Sequence, residues 1–125
     1  MKNLIIDAKY EKVFFSVITE TQSYTTSYIN SRENFDKFLY FLLSFLNTHK
    51  IELKDIEKIF VNQGPGKLSS IRTSISIAKA IALSKNISLI GFKTTDIEGN
   101  NYEKILKLEK KNLLNKGLIK PYYSS

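Results

Sequence analysis

One stretch, IFVNQGPGKLSSIRTSISIAKAIALSK from Ile59 to Lys85, limits the architectures open to this chain. Ile59, Phe60 and Val61 are consecutive apolar residues with strand preference, the pattern of a strand covered on both faces. Gly64-Pro65-Gly66 stops that strand. Two glycines can take φ > 0, and Pro65 fixes its own φ and brings no N–H to a ladder. From Leu68 the period becomes helical. Ser70, Ser74, Ala78 and Ala82 recur every four residues as a ridge of small side chains. Leu68, Ile71, Ile75 and Ala78 form the adjoining apolar stripe, which Ile77 and Ile81 widen. With charge only at Arg72, Lys79 and Lys85, this helix is expected to be covered on more than one side.

A glycine turn between strand and helix raises the question of phosphate binding, because free N–H groups at a helix start attract anions. The spacing answers it. Neither G-x-x-x-x-G-K-[ST] nor G-x-G-x-x-G is present, so the turn reads as structural. Its residues nevertheless carry a resemblance. Gln63-Gly64-Pro65-Gly66-Lys67-Leu68-Ser69-Ser70-Ile71-Arg72 resembles the G-x-G-P-G-S-F-T-G-[LV]-R signature of the TsaB (YeaZ) family. Ile77-Ala78-Lys79-Ala80-Ile81-Ala82 is similar to that family's A-x-A-K-G-L-A, and Asn86 to Phe92 to its N-I-P-L-x-G-V. Lys67, Leu68, Ser69 and Ser70 depart from the family's Ser, Phe, Thr and Gly. The motif turn is thus Gly64, Pro65 and Gly66, with Arg72 beyond it. The resemblance implies an actin-like ATPase-type fold without catalysis of its own. It also implies a larger TsaD-type partner, a TsaE-type ATPase in the same complex, and tRNA threonylcarbamoyladenosine as the product. ATP and metal would belong to the partner, and tRNA would be met indirectly.

A chain of 125 residues can bury roughly two-thirds of its unfolded surface, enough for one core. It has no cysteine, which removes disulfides and thiolate metal sites and suits a reducing cytosol. Met1-Lys2 leads straight into a strand-like run, so no leader is expected. The longest nearly uncharged apolar run, Phe38 to Leu46, is far short of the roughly 20 residues that span a bilayer. A cytoplasmic protein without membrane contact is the expectation. The net charge of +7 is almost all lysine; Arg32 and Arg72 are the two arginines, with no aromatic-basic stacking motif. The charge reads as compositional rather than as a direct RNA site.

Leu4 to Ile6, Val13 to Ile18 and Tyr24 to Ile29 read as three strands joined by short turns, an antiparallel meander. Such an opening is used by actin-like and ribonuclease H-like domains. Asp7 ends the first strand, where those folds carry an aspartate that helps hold a divalent metal. Hard cations need several oxygens at one place. The other acids are Glu11, Glu20, Glu33, Asp36, Glu52, Asp55, Glu57, Asp96, Glu98, Glu103 and Glu109. None ends the Ile59–Val61 strand, which runs into Asn62 and Gln63. Asp7 is therefore read as structural, or as a vestigial phosphate-loop residue, with no catalytic group and no metal site assigned.

Ser31 or Asn34 is a candidate cap for a helix from Phe35 to Asn47. Phe35, Phe38, Leu39, Leu42 and Leu46 form its stripe; Phe41 and Phe45, with Tyr40, widen the apolar surface beyond what one sheet needs. An apolar surface left open marks a partner site. His49, the single histidine, has no companion for metal or triad chemistry and reads as a solvated helix end. Ile51 to Lys58 is a charged lead-in, and Ile87 to Phe92 is the fifth strand. Tyr102 to Asn115 has helical spacing, with Gly117 suited to the place past its end. Leu118 to Tyr123 resembles the family's closing P-x-Y-[LV]-R, lacking its arginine.

Together these readings predict an α/β fold: one actin-like or ribonuclease H-like lobe over residues 1–95, with a five-strand mixed sheet in the order 3-2-1-4-5 and flanking helices. Residues 96–125 would be a linker, a C-terminal helix and a tail, the family's second lobe being largely missing. The expected function is a non-catalytic scaffold that docks on a TsaD-type subunit. Its docking face would comprise Phe38, Phe41, Leu42, Phe45, Ser70, Ile71, Ser74, Ala78 and Ala82. The alternatives are a ribonuclease H-like metal-dependent nuclease using Asp7, or a homodimer through the same helices without a larger partner.

Overall fold

The computed structural model describes residues 1–121. The strands are β1 (Lys2–Ala8), β2 (Lys12–Ile18), β3 (Ser23–Ile29), β4 (Ile56–Asn62) and β5 (Ser88–Phe92). The helices are α1 (Phe38–Thr48), α2 (Leu68–Lys85) and α3 (Glu103–Lys110). The five strands form one sheet in the order β3-β2-β1-β4-β5, the order expected for an actin-like or ribonuclease H-like lobe. β1, β2 and β3 pair antiparallel, whereas β4 lies parallel to β1 and β5 parallel to β4. The parallel pairings need crossovers, which α1 and α2 supply.

Strand alternation sends side chains to two cores. Leu4, Ile6, Phe15, Val17, Ile59 and Val61 meet α1 and α2 on one face. Ile5, Phe60, Ile90 and Phe92 meet Ile97, Tyr102 and Ile105 on the other, beside α3. Burying one side chain of this size contributes about 1.5–3 kcal/mol, so both layers matter to stability. The segment after β5 is consequently packed structure rather than a loose connection. Asn115 also bridges Gly91 on the outer edge of β5, and Ile119 reaches the first core.

Several boundaries differ from the sequence reading. A 3₁₀ turn occupies Arg32–Lys37, so α1 proper starts at Phe38 instead of Phe35. Ser31 stands at the N-cap without a side-chain capping bond, while the Asn34 side chain donates to the Ile29 carbonyl. β4 begins at Ile56, inside the expected lead-in. α3 stops at Lys110, and the place past its end is taken by Asn112 at φ 57°, not by Gly117. The Asn112 and Leu113 amides donate to Glu109 and Leu108, closing the helix as a Schellman motif. Lys50 ends α1 the same way, with Ile51 donating to Leu46. The Tyr122-Tyr123 part of the closing motif lies outside the described residues.

The expected docking residues are corrected by burial. Phe38, Leu42 and Phe45 are 3, 0 and 5% exposed and belong to the core under β2 and β1. Phe41 is half-buried, its ring 4.5 Å from that of Tyr28. Ser70, Ile71, Ser74, Ala78 and Ala82 are likewise buried. The small ridge lets α2 lie close on its own sheet, and the Ser74 hydroxyl returns to the Ile71 carbonyl. What α1 and the 3₁₀ turn before it leave outside is a different set: Phe35, Leu39, Tyr40 and Leu43, all more than 40% exposed. His49 is not simply solvated either, since its ring stacks on Tyr24 at 4.1 Å.

Candidate functional site

The parallel register of β1 and β4 aligns Ile6 with Val61, which brings the next residues, Asp7 and Asn62, side by side at the same sheet end. Both are fully buried. Asn62 Nδ2 donates to Asp7 Oδ1 at 2.7 Å and to Thr94 Oγ1 at 2.9 Å. Its own Oδ1 accepts the Gly64 amide at 2.7 Å. Tyr102, at the start of α3, donates its hydroxyl to Asp7 Oδ2 at 2.7 Å. Lys9 approaches the same oxygen at 3.4 Å, while also donating to the Gly99 carbonyl and to Asn100. Both carboxylate oxygens thus have protein partners, as a buried charge requires.

Burial, and secondarily the negative charge of Asp7, pushes the Tyr102 phenol well above its ordinary value. Tyr102 therefore stays a hydrogen-bond donor throughout the neutral range. Among the described residues no three His, Cys, Asp or Glu side chains are placed to hold a metal ion. Chemically, the arrangement is a closed polar knot tying β1, the β4 turn and the start of α3 together.

The motif turn serves this knot. Gly64 takes φ 105°, where a side chain would be strained. Gly66 does not share that conformation: its need is space, because a Cβ there would stand 3.2 Å from the Ala8 carbonyl oxygen. Thr94 donates its amide to the Gly64 carbonyl and its hydroxyl, at 2.6 Å, to that of Pro65. Arg72, also singled out by the motif, sits on the exposed side of α2. Sequence reasoning placed Asp7 but missed its partners. Asn62 could have been found, since parallel strands that both end in a polar residue align those residues. Nothing in the local sequence marks Thr94 or Tyr102, which are 32 and 95 residues from their partners.

The family model described as "TsaD: tRNA N6-adenosine threonylcarbamoyltransferase" matches residues 18–104. The "tRNA threonylcarbamoyladenosine biosynthesis protein TsaB" of Buchnera aphidicola subsp. Schizaphis graminum is 33% identical over 94 residues, covering 75% of this chain and 45% of that protein. A "tRNA N6-adenosine threonylcarbamoyltransferase" of Syntrophus aciditrophicus is 38% identical over 63 residues, covering 50% of this chain and 19% of the relative. The chain spans less than half the length of these curated relatives. Among solved structures, YeaZ from Pseudomonas aeruginosa superposes with a TM-score of 0.68 at 16% identity, over 74% of this chain and 43% of its own. Thermus thermophilus RuvC superposes at 0.55 with 11% identity, over 100% and 86%. The last two establish the fold, an actin-like, ribonuclease H-like sheet, and nothing more.

Proposed function

The chain belongs to the TsaD family of tRNA N6-adenosine threonylcarbamoyltransferases and is similar to a TsaB protein over 75% of its length, and on that premise we propose that it is a non-catalytic subunit. In this reading it docks on a larger TsaD-type protein and supports threonylcarbamoyladenosine modification of tRNA in the cytoplasm. The observation that carries the reading is the state of Asp7. A carboxylate that accepts from Asn62, Tyr102 and Lys9, fully out of solvent, is committed to holding the fold. Reaching a substrate with it would mean breaking charge-assisted bonds worth about 1.5–3 kcal/mol each. The same state argues against the nuclease alternative.

The docking face proposed here is the outer side of α1 and of the 3₁₀ turn before it, with Phe35, Leu39, Tyr40 and Leu43 exposed. Leu39 and Leu43 are four residues apart and so lie one above the other on the helix. An exposed apolar stripe of this kind is a partner surface. The test is pull-down of a TsaD-type subunit from the same cells, followed by reconstituted modification of tRNA with purified components. Leu39→Asp with Leu43→Asp should weaken binding by at least about tenfold and lower modification in parallel, while the free chain melts as before. Metal-dependent nuclease activity of the isolated chain, lost in Asp7→Asn, would overturn the reading.

A further inference from the structure

The net charge of +7 is not spread evenly along the chain. From Lys104 to Lys120 six lysines stand against Glu109 alone, so this stretch holds five of the seven net positive charges. An even spread would give it roughly one. The helix α3 gathers much of that charge on one side. Ile105 is fully buried and Leu106, Leu108 and Glu109 are half-buried, whereas Lys104, Lys107, Lys110 and Lys111 are exposed. At 3.6 residues per turn these four lysines cover the outward half of the helix and its C-terminal end, with Glu103 as the one acid on that side. Glu109 is turned inward, where Lys58 and Lys116 take its two oxygens at 2.6 and 3.0 Å. Among the described residues, none of the four outward lysines stands within ion-pair distance of a carboxylate.

Helix energetics do not account for this arrangement. The carbonyl end of a helix favours cations, which suits Lys107, Lys110 and Lys111 but not Lys104 in the first turn. Lys107 has Lys104 three residues before it and Lys110 and Lys111 three and four residues after it, spacings at which like charges repel. A helix of eight residues has little stability to give up to such repulsion. An anion from outside the chain would relieve it.

We propose that the outward face of α3 binds the phosphate backbone of a folded RNA, which, on the functional reading above, is the tRNA substrate. The chemistry of the face selects this occupant. Lysine meets phosphate as a point charge, whereas a dry contact with the carboxylates of a protein favours the planar fork of arginine. The stretch has no arginine. An anionic membrane would need an apolar face turned outward beside the charges. In α3 Ile105 and Leu106 pack into the second core, and Leu113 and Leu118 are exposed singly beyond the helix. Lys104 to Lys111 covers about 10 Å of helix axis, the span of about three phosphates on one strand of a duplex. No aromatic residue stands between Lys104 and Lys120, so the face can position a backbone without stacking on bases. α3 lies on the sheet face opposite α1 and α2, which leaves the docking surface on α1 free for a protein at the same time.

The test is fluorescence anisotropy of an unmodified tRNA transcript titrated with the isolated chain over a range of salt. Wild-type affinity should fall with salt at a log–log slope of about −2 to −3, close to 0.9 for each phosphate contact. Lys104→Gln, Lys107→Gln and Lys111→Gln together should weaken binding at least about tenfold at about 100 mM salt and remove most of that slope. Glutamine is close to lysine in helix preference, so the melt should not change. Lys12→Gln, Lys79→Gln and Lys85→Gln together remove the same charge from exposed positions away from α3 and should change binding little. Arginine at positions 104, 107 and 111 should keep the affinity, and decides the matter should the glutamine variant melt early. Equal losses in the two glutamine triples would overturn the proposal, leaving net charge as the whole effect. Absence of tRNA binding at about 50 mM salt, or tighter binding to phosphatidylserine–phosphatidylcholine vesicles than to tRNA, would overturn it as well. Docking is measured separately, and the α3 glutamine triple should capture a TsaD-type subunit as the wild type does. Capture of that subunit with tRNA binding unmoved by the triple would sink the α3 proposal alone. Binding of tRNA through α3 without capture of the subunit would sink the docking reading and leave this one standing.

Discussion

Replacing Asn62 by aspartate tests most directly whether the Asp7 knot is closed. The substitution keeps the shape of the side chain and changes a donor into a second carboxylate. Asn62 Nδ2 now sits 2.7 Å from Asp7 Oδ1 and 2.9 Å from Thr94 Oγ1, so both of these bonds are lost and two acceptor oxygens face each other. Both positions are fully buried, so water cannot relieve the opposition. An uncompensated buried charge costs about 3–5 kcal/mol. The new carboxylate still accepts the Gly64 amide, which puts the expected loss at the lower end of that range. In a domain of this size each kcal/mol is roughly 3–6 °C, so the melt should fall by roughly 10–20 °C. Asn62→Ala, which loses these bonds and the acceptor of the Gly64 amide as well but adds no charge, should fall about half as far. Calorimetry and urea titration, with EDTA present so that no cation bridges the two carboxylates, measure both variants. An Asn62→Asp chain melting within about 3 °C of wild type would mean that solvent reaches Asp7, and the structural assignment of that residue would fall.

Two further substitutions probe the layers on either side of the sheet. Ser74→Arg drives a long cation into the fully buried ridge of α2 and should cost about 3–5 kcal/mol, seen as a lost or sharply lowered thermal transition of the free chain; an unchanged melt would return the ridge to the surface. Glu109 accepts from Lys58 at 2.6 Å and from Lys116 at 3.0 Å, and these bonds hold its carboxyl below the usual glutamate value. Because the folded value is the lower one, its contribution is complete above the unfolded value and disappears as pH falls through the folded value. Glu109→Gln should therefore cost about 1–2 kcal/mol in urea melts at pH 7, with the difference from wild type shrinking below about pH 4.5.

The strands were legible because each announces itself by apolar runs between turns, and because Gly64-Pro65-Gly66 separates a period of two from a period of 3.6; their order in the sheet came from the resemblance to an actin-like, ribonuclease H-like lobe. The faces of the helices were not. Periodicity says which residues share a side of α1, but Phe38, Phe41, Leu42 and Phe45 were read together with residues that point elsewhere. An apolar surface nearly all round hides the boundary between the part lying on the sheet and the part left outside. For α2 the small ridge was visible, but small residues permit close approach to any neighbour. The neighbour turned out to be the chain's own sheet. The site divided in a similar way. Asp7 was legible from its place at a strand end, and Asn62 from the next strand in parallel register. Tyr102 and Thr94 depend on where the segment after β5 folds back, a long-range event that no local pattern encodes.

That folding back explains why an aspartate is buried at the end of β1. β1 and β4 hold each other through the ladder, but α3 has no ladder and is only eight residues long, too short to be stable by itself. Three attachments hold it to the sheet. Ile105, fully buried, contributes apolar contact, and Glu109 grips Lys58 of β4. The third is Tyr102, whose hydroxyl needs an acceptor once buried and finds Asp7 at the sheet end where α3 begins. Lys9 adds a clasp from the β1–β2 turn to Gly99 and Asn100, just before the helix. A carboxylate at this position in the fold lies where several loops converge, a geometry suited to collecting ligands. In this chain the ligands collected are the chain's own Asn62, Tyr102 and Lys9, so the convergence point works as an anchor for the second core.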